Sequence, residues 1–197
     1  MAIAEIYRKI RKKLAKDLMP PRLQELRRWK KDGGKDMAVY KHYIDRFNED
    51  LTSKCIGDFG CGPYGGVTFF AGGYPIDINA RAYNKWGWSK KRILQSREIP
   101  DKTIDVMFCC DAIDHTRCPE KIIKEIRRLL KPSGTLLLHV HFREVPNVRH
   151  PVVWSVDLLR SLFKDFNIVW HKVEEGDAIM HNKKVNNTLW AKLQLIN

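Results

Sequence analysis

The sequence predicts an α/β fold in which helices cover both faces of a doubly wound, mostly parallel sheet. From residue 54 onward, short apolar runs of strand length alternate with segments of helical periodicity. A glycine-rich turn at Gly60, Gly62 and Gly65 follows the first of these runs. With 197 residues and 44% apolar side chains, the chain can bury the core of one such domain and is too short for two.

Helical patterns precede the predicted sheet. Apolar residues recur every three or four positions over residues 3–18, and Pro20 and Pro21 end that basic amphipathic helix. A second helix is predicted over residues 21–31, and a third places Tyr40, Tyr43 and Phe47 on one side. We therefore predict an N-terminal helical segment over residues 1–52 and an α/β domain over residues 53–197.

The predicted sheet follows from the order of the remaining patterns. Proline suits the first turn of a helix, so Pro119 begins the clearest one, and residues 131–134 read as a turn. Strands are predicted over residues 54–59, 74–77, 103–110, 135–141, 166–171 and 188–195, and helices over residues 65–71, 119–130 and 155–164.

The net charge of +13 is concentrated in the first half of the chain. Such a field favours anionic partners, among them nucleic acid, phosphorylated metabolites or an anionic membrane surface, but a solvated basic face explains it equally well. No apolar run reaches the roughly 20 residues of a transmembrane helix, and charges from Arg8 onward argue against a secretory signal.

The five cysteines are odd in number and contain no Cys-x-x-Cys pair. This pattern is typical of reduced, structural cysteines in a cytoplasmic protein. Because no second cluster has the spacing of zinc ligands, we predict no metal site.

The glycine turn indicates a ligand that approaches the backbone closely. Gly60, Gly62 and Gly65 follow a strand, and Asp77 ends the next strand, where a carboxylate can accept hydrogen bonds from ribose hydroxyls. The spacing also matches the dinucleotide fingerprint of nicotinamide enzymes. Asp58 would repel a pyrophosphate, however, and Pro63 removes a backbone donor, so a nicotinamide oxidoreductase is disfavoured.

Three later segments carry a resemblance to a known family. Residues 99–107 (IPDKTIDVM), 110–116 (CDAIDHT) and 125–136 (EIRRLLKPSGTL) occur in the order in which similar motifs occur in that family. Residues 54–141 thus resemble the broad type 11 group of class I S-adenosylmethionine (SAM) dependent methyltransferases. The resemblance implies a Rossmann-like sheet of strand order 3-2-1-4-5-7-6 and SAM as the cofactor. The chain between Asp77 and Asp105 is shorter than in the family, so a helix or strand there is clipped.

The resemblance also implies roles for individual residues. It implies that Asp58 and the turn backbone bind the methionine part of SAM and that Asp77 binds the ribose. The chain near residues 95–97 would contact the adenine, and the end of the third strand would border the methionine ammonium. The implied cofactor-binding residues are Asp58, Gly60, Cys61, Gly62, Asp77, Ile78, Ser96, Arg97, Cys110 and Asp111.

Candidates for a catalytic base follow the carboxyl ends of strands, where ligands bind in such sheets. His115 is the first choice because histidine titrates near neutral pH, and Asp111 and His141 are the other two. The alternative interpretation, which carries more weight for His115, is a hydrogen-bonded histidine that only shapes the loop. Asp114 can equally be a surface carboxylate.

The acceptor is less determined than the cofactor. A small-molecule or sugar-type acceptor is the leading hypothesis, the basic first half supports an RNA or protein substrate, and a non-catalytic binding protein is the third. Trp86 and Trp88 can stack on a base or a flat acceptor, or pack a shortened helix. Small family members place N-terminal helices over the cofactor cleft, so residues 1–52 are predicted to form a lid. The oligomeric state is not predicted.

Overall fold

The computed structural model describes residues 5, 21–32, 37–141, 146, 150–175 and 187–196. The chain divides into two compact units, residues 1–33 and residues 34–197. In the first unit, α1 (Pro21–Asp32) confirms the second predicted helix, whereas the helix predicted over residues 3–18 lies, except for Glu5, outside the described residues. Among the described residues, no helix has the length and apolarity needed to cross a bilayer.

The second unit is an α/β domain built on a six-stranded sheet. The strands run in the order β2-β1-β3-β4-β6-β5; the first four are parallel, and β6 pairs antiparallel with both β4 and β5. The elements are α2 (Met37–Phe47), β1 (Ile56–Phe59), α3 (Thr68–Ala71), β2 (Tyr74–Ile76), α4 (Ala80–Trp86), β3 (Ile104–Cys110), α5 (Pro119–Leu129), β4 (Leu130–His141), α6 (Val156–Leu162), β5 (Phe166–Glu174) and β6 (Thr188–Leu195).

The expected order 3-2-1-4-5-7-6 is reproduced except at one edge, where the third family strand is reduced to a bridge. Leu94 pairs with Ile76 in parallel, its N–H donates to the Pro75 carbonyl at 2.8 Å, and its own carbonyl accepts from Asp77 N–H at 2.9 Å. Gly87 ends α4 in a left-handed conformation, so few residues remain for a strand. The prediction of a clipped element is confirmed, and the strand is the element that is lost.

Both faces of the sheet are covered, as the fold class requires. On one face, α5 and α6 bury Ile123, Ile126 and Leu159 against alternate strand residues such as Met107. On the other face, α2 packs three apolar side chains, Val39, Tyr43 and Phe47, against Val106, Phe108, Leu137 and Trp190. The third predicted helix therefore belongs to the compact unit of the sheet. The functional boundary predicted after residue 52 stays a prediction.

Residues 131–134 correct one local prediction. They do not form a free turn but a bulged start of β4, because Ile104 pairs with Leu130 while Val106 pairs with Thr135. Ser133 has a left-handed backbone (φ 59°). Lys131 anchors the bulge by donating from Nζ to both carboxylate oxygens of Asp105, each at 2.9 Å.

Candidate functional site

The glycine turn packs directly against the loop that follows β3. Gly60 has φ 86°, and a Cβ added there would lie 2.3 Å from Cβ of Ala112. The N–H groups of Gly60 and Cys61 donate to the Ile76 carbonyl at 2.8 and 3.1 Å, which joins the turn to the end of β2. Only glycine permits this conformation and approach, so the ends of β1, β2 and β3 converge on one crevice.

Two buried carboxylates flank that crevice and hold its backbone. Asp58 Oδ2 accepts from Val67 N–H at 2.7 Å. Asp77 accepts from Gly62 N–H at 3.1 Å on one oxygen and from Asn79 N–H at 2.7 Å on the other. Through these two N–H groups Asp77 joins the glycine turn to the start of the segment that leads into α4. The structure thus brings together Asp58, Cys61, Gly62 and Asp77, as the sequence predicted.

The Asp58 carboxyl is a buried acid without a cation beside it among the described residues. Burial raises the pKa of Asp58 to about 7, Val67 N–H partly offsets this rise, and the charge of Asp77 adds to it. Burial likewise raises the pKa of its neighbours Tyr40, Cys61, Cys109 and Cys110, which stay neutral near pH 7. The crevice is therefore suited to a positively charged ligand, which would favour the ionised form of Asp58.

A cationic ligand in this crevice is expected to bind more tightly as the pH rises through 7. Below the pKa of Asp58, binding must first remove a proton, so the affinity for SAM should be about tenfold lower at pH 6 than at pH 8. Calorimetry at the two pH values, in buffers of different ionisation enthalpy, measures both this ratio and the released proton. Asp58→Asn should bind SAM more weakly and without the pH dependence; an unchanged tenfold ratio in that variant would contradict the assignment.

The remaining predicted cofactor residues lie beyond the same strand ends. Ile78 follows Asp77 and is 73% exposed, an unusual position for a large apolar side chain. Ser96 begins a 3₁₀ turn (Ser96–Glu98) just after the Leu94 bridge. The Ser96 carbonyl accepts from Arg128 Nη2 at 2.9 Å, which ties this turn to α5. The Arg97 side chain is exposed, and its neighbours among the described residues do not assign it to the crevice.

A carboxylate–histidine cluster follows β3. Asp111 comes directly after Cys110, has a left-handed backbone (φ 52°), and donates its N–H to the His139 carbonyl at 3.0 Å. Asp111 Oδ1 lies 3.1 Å from His141 Nε2 and 3.9 Å from His115 Nε2. The three predicted catalytic candidates therefore lie side by side, although they come from two strand ends.

A second carboxylate–histidine pair lies next to the first. Asp114 is completely buried, so a surface role for it is wrong. Its Oδ2 lies 2.9 Å from His150 Nδ1, and the rings of His115 and His150 have centroids 4.2 Å apart. Burial opposes the ionisation of Asp114, but the charges of His115 and His150 outweigh it and lower its pKa.

Burial opposes the ionisation of Asp111 as well. The interaction with His141 outweighs it, and with smaller contributions from His115 and His139 it holds the pKa of Asp111 well below its usual range. Both carboxylates at this end of β3 are thus anionic inside the protein, with imidazoles arranged around them.

Sequence reasoning missed two residues of this region. Tyr40 of α2 lies close enough to Asp58 and Asp77 for their charges to add to the effect of burial on its pKa. Because Tyr40 lies on the apolar face of α2, the sequence pattern indicated core packing and not a position near these two carboxylates. His150 is not among the candidates predicted from the sequence. Its pairing with Asp114 across 36 residues is a tertiary contact that no local pattern predicts.

Comparisons with known proteins agree with this geometry. Residues 58–138 match the model of a family described as a methyltransferase domain. The human thiol S-methyltransferase TMT1B is 24% identical over 101 residues, which cover 50% of this chain and 38% of that protein. Its rat counterpart is 29% identical over 59 residues and is covered over 24% of its length. The matched segments therefore span less than two fifths of these relatives.

Solved structures share the fold at lower identity. A SAM-dependent methyltransferase of Thermotoga maritima, named as a possible histamine N-methyltransferase, superposes with a TM-score of 0.62 at 14% identity over 87% of this chain and 98% of that one. The 1,6-didemethyltoxoflavin N1-methyltransferase of Burkholderia thailandensis, with 1,6-didemethyltoxoflavin and S-adenosylhomocysteine bound, gives 0.56 at 14% identity over 83% and 79%.

Proposed function

Because the chain carries a class I SAM-dependent methyltransferase domain, we propose that it transfers the methyl group of SAM to a heteroatom of a small molecule. The observation that carries the proposal is the pair of buried carboxylates, Asp58 and Asp77, on either side of the glycine turn. Burial raises the pKa of Asp58 to about 7, and a cation beside it would lower that pKa. Asp77 follows β2, at the edge of the sheet where a carboxylate can accept from ribose hydroxyls.

In this proposal, Asp58 and the backbone of Gly60, Cys61 and Gly62 hold the methionine part of SAM, with Cys110 and Asp111 beside its ammonium. Asp77 accepts from the ribose hydroxyls, and Ile78 offers its exposed side chain to the adenine. Ser96 and Arg97 remain proposed as adenine contacts on position alone. We add Tyr40 to this set as a wall of the cleft, because it packs beside the sheet and the charges of both carboxylates act on its pKa.

The reaction is an in-line displacement at the sulfonium methyl group. The acceptor heteroatom attacks the methyl carbon, the carbon–sulfur bond breaks, and its electron pair stays on sulfur to give S-adenosylhomocysteine. Since the sulfonium is already a good leaving group, the protein contributes chiefly by aligning the reactants, which can supply about 7–11 kcal/mol. An acceptor that loses a proton needs a base as well. We propose Asp111, His115 and His141 for that task.

Replacing His141 by glutamine is expected to lower kcat by about 10²–10⁴-fold, because His141 and Asp111 form the buried pair of this set. The affinity for SAM should change by less than about threefold. His171→Gln, at an exposed histidine of β5, is the control and should leave kcat unchanged. A His141→Gln variant that binds SAM and keeps the wild-type kcat would contradict the base role.

The acceptor is proposed to be a small molecule, with thiols first among the compounds to be screened. The curated relatives are named as thiol S-methyltransferases, and the bound acceptor of one structural neighbour is a small heterocycle. The RNA or protein alternative has less support near Trp86 and Trp88, because the two rings lie against each other and Trp88 stacks on Tyr64. Of the cations beside them, Lys90 lies over the Phe69 ring and Arg92 pairs with Glu98.

The lid role of residues 1–52 and a cytoplasmic location remain part of the proposal. Tyr40 supports the first, and five free cysteines agree with a reducing compartment. Calorimetry with SAM, S-adenosylhomocysteine and NAD tests the cofactor class. We expect binding of the first two and none of NAD. Binding of NAD without SAM would refute the proposal. If SAM binds, a screen of acceptors with labelled SAM will identify the substrate.

A further inference from the structure

Three potential metal ligands converge at the loop after β3. Asp114, His115 and His150 each place a ligand atom within 4.8 Å of those of the other two. Asp114 and His115 belong to the 3₁₀ turn Ile113–His115, whereas His150 comes from the connection between β4 and α6. Two imidazoles and one carboxylate are a donor set that suits divalent transition ions such as Zn²⁺ or Fe²⁺.

The Asp114 side chain gives an independent sign of a missing cation. Its exposed fraction is 0%, and its Oδ2 is engaged with His150. Its Oδ1 is fully buried and has no hydrogen-bond donor among the described residues. A buried carboxylate oxygen without a donor costs free energy. An ion between Asp114 and the two imidazoles would remove that cost.

The outer contacts of the cluster resemble those that orient metal ligands. A metal-bound histidine usually directs its second ring nitrogen toward a carboxylate or carbonyl. His115 Nε2 lies 3.9 Å from Asp111 Oδ1, and Asp111 is itself held by His141. His115 thus lies between one carboxylate that can coordinate and another that can orient its ring.

We propose that Asp114, His115 and His150 form a binding site for one divalent transition-metal ion that holds the methyl acceptor. Three protein ligands leave coordination positions open for a further ligand, as catalytic ions require. Ala112, two residues before Asp114, touches the glycine turn at Gly60, so the ion would border the crevice assigned to SAM. The acceptor class is then a thiol or another heteroatom that binds such an ion as an anion.

The use of the ion rests on the proposed function, whereas ion binding itself does not. On the ion, the acceptor X–H loses its proton to the Asp111–His141 pair or to water. The X–C bond then forms as the methyl carbon–sulfur bond breaks, with the electron pair left on sulfur. Because His115 would then be a ligand of the ion, Asp111 and His141 remain as the candidates for the base. Our prediction of no metal site considered only the spacing of the cysteines. Asp114 and His150 lie 36 residues apart in the sequence, so no local spacing of ligands reveals this site.

The test is titration of the chelator-treated full chain with Zn²⁺, and with Co²⁺ for its visible absorption spectrum. We expect one ion per chain and a Co²⁺ spectrum of low coordination number. His150→Ala and the more exposed His115→Gln should each weaken Zn²⁺ binding by more than about 100-fold, beyond the 10–100-fold typical of losing an outer partner. His171→Ala, at an exposed histidine of β5, is the control and should leave binding unchanged.

Binding of SAM, measured on the same samples, separates the two ideas and verifies folding. A chain that binds SAM but takes up no stoichiometric Zn²⁺, or that binds it equally in all variants, overturns the metal site and leaves the methyltransferase intact. A chain that binds Zn²⁺ through His115 and His150 but not SAM supports the site and refutes the proposed function. With both in place, Zn²⁺ should strengthen the binding of a thiol acceptor, and His150→Ala should abolish that gain.

Discussion

Alanine at position 77 is expected to abolish measurable SAM binding and to destabilise the empty protein. The ribose would lose its acceptor, and two buried N–H groups, those of Gly62 and Asn79, would lose theirs. A buried donor without a partner costs about 1–3 kcal/mol, so the free energy of unfolding should fall by about 2–5 kcal/mol. Urea denaturation measures the second effect, and calorimetry the first.

Asp50→Ala is the matched control for this experiment. Asp50 is an exposed carboxylate that also accepts a backbone N–H two residues on, from Thr52 at 2.9 Å. Its removal should leave SAM affinity unchanged and cost less than about 1 kcal/mol, because water replaces the lost acceptor. SAM affinity that survives in Asp77→Ala would show that the ribose is held elsewhere.

Gly60→Ala should lower the free energy of unfolding by about 2–5 kcal/mol and prevent SAM binding. The left-handed backbone of Gly60 costs an alanine about 1–2 kcal/mol. The new Cβ would also lie 2.3 Å from Cβ of Ala112, and such overpacking costs a further 1–3 kcal/mol, roughly. Thermal and urea unfolding measure the sum.

Two further variants separate the parts of the Gly60 effect. Gly87 has a similar backbone (φ 68°), but no atom lies within 4 Å of an added Cβ, so Gly87→Ala should show the backbone cost alone. In the double variant Gly60→Ala/Ala112→Gly the clash disappears. The difference in the free energy of unfolding between Gly60→Ala and this double variant should equal the packing cost. No recovery in the double variant would mean that the loop after β3 does not rest on the glycine turn.

The cofactor side of the crevice could be predicted because its signals are local. Gly60, Gly62 and Asp77 lie within one strand–turn–helix–strand unit, and chain order alone places them at one edge of a parallel sheet. Thr188–Leu195 was predicted to its boundaries, because apolar residues recur there at every second position, as is typical of a strand. The Pro-Ser-Gly sequence of residues 132–134, in contrast, suggested a turn where pairing with β3 extends the strand.

The carboxylate–histidine contacts after β3 and the position of Tyr40 could not be predicted in the same way. The Asp114–His150 pair joins two loops 36 residues apart, and its formation depends on how the connection after β4 folds back. Tyr40 reaches the carboxylates only because α2 packs on the sheet. The small number of residues between Asp77 and Asp105 predicted that a helix or a strand is clipped there. The sequence did not predict which of the two, because this depended on Gly87, which ends α4 early.

The packing of α2 against the sheet also limits how the proposed cofactor cleft can open. Tyr40, Tyr43 and Phe47 follow one another at helical spacing, and the last two are buried against Phe108 and Trp190. A wall fixed to the centre of the sheet in this way cannot swing aside without breaking the core. Amides of α2 should therefore exchange with solvent as slowly as those of β3. Within the proposed lid, α2 would then be a fixed cover, and SAM would enter past the loops that follow β2 and β3.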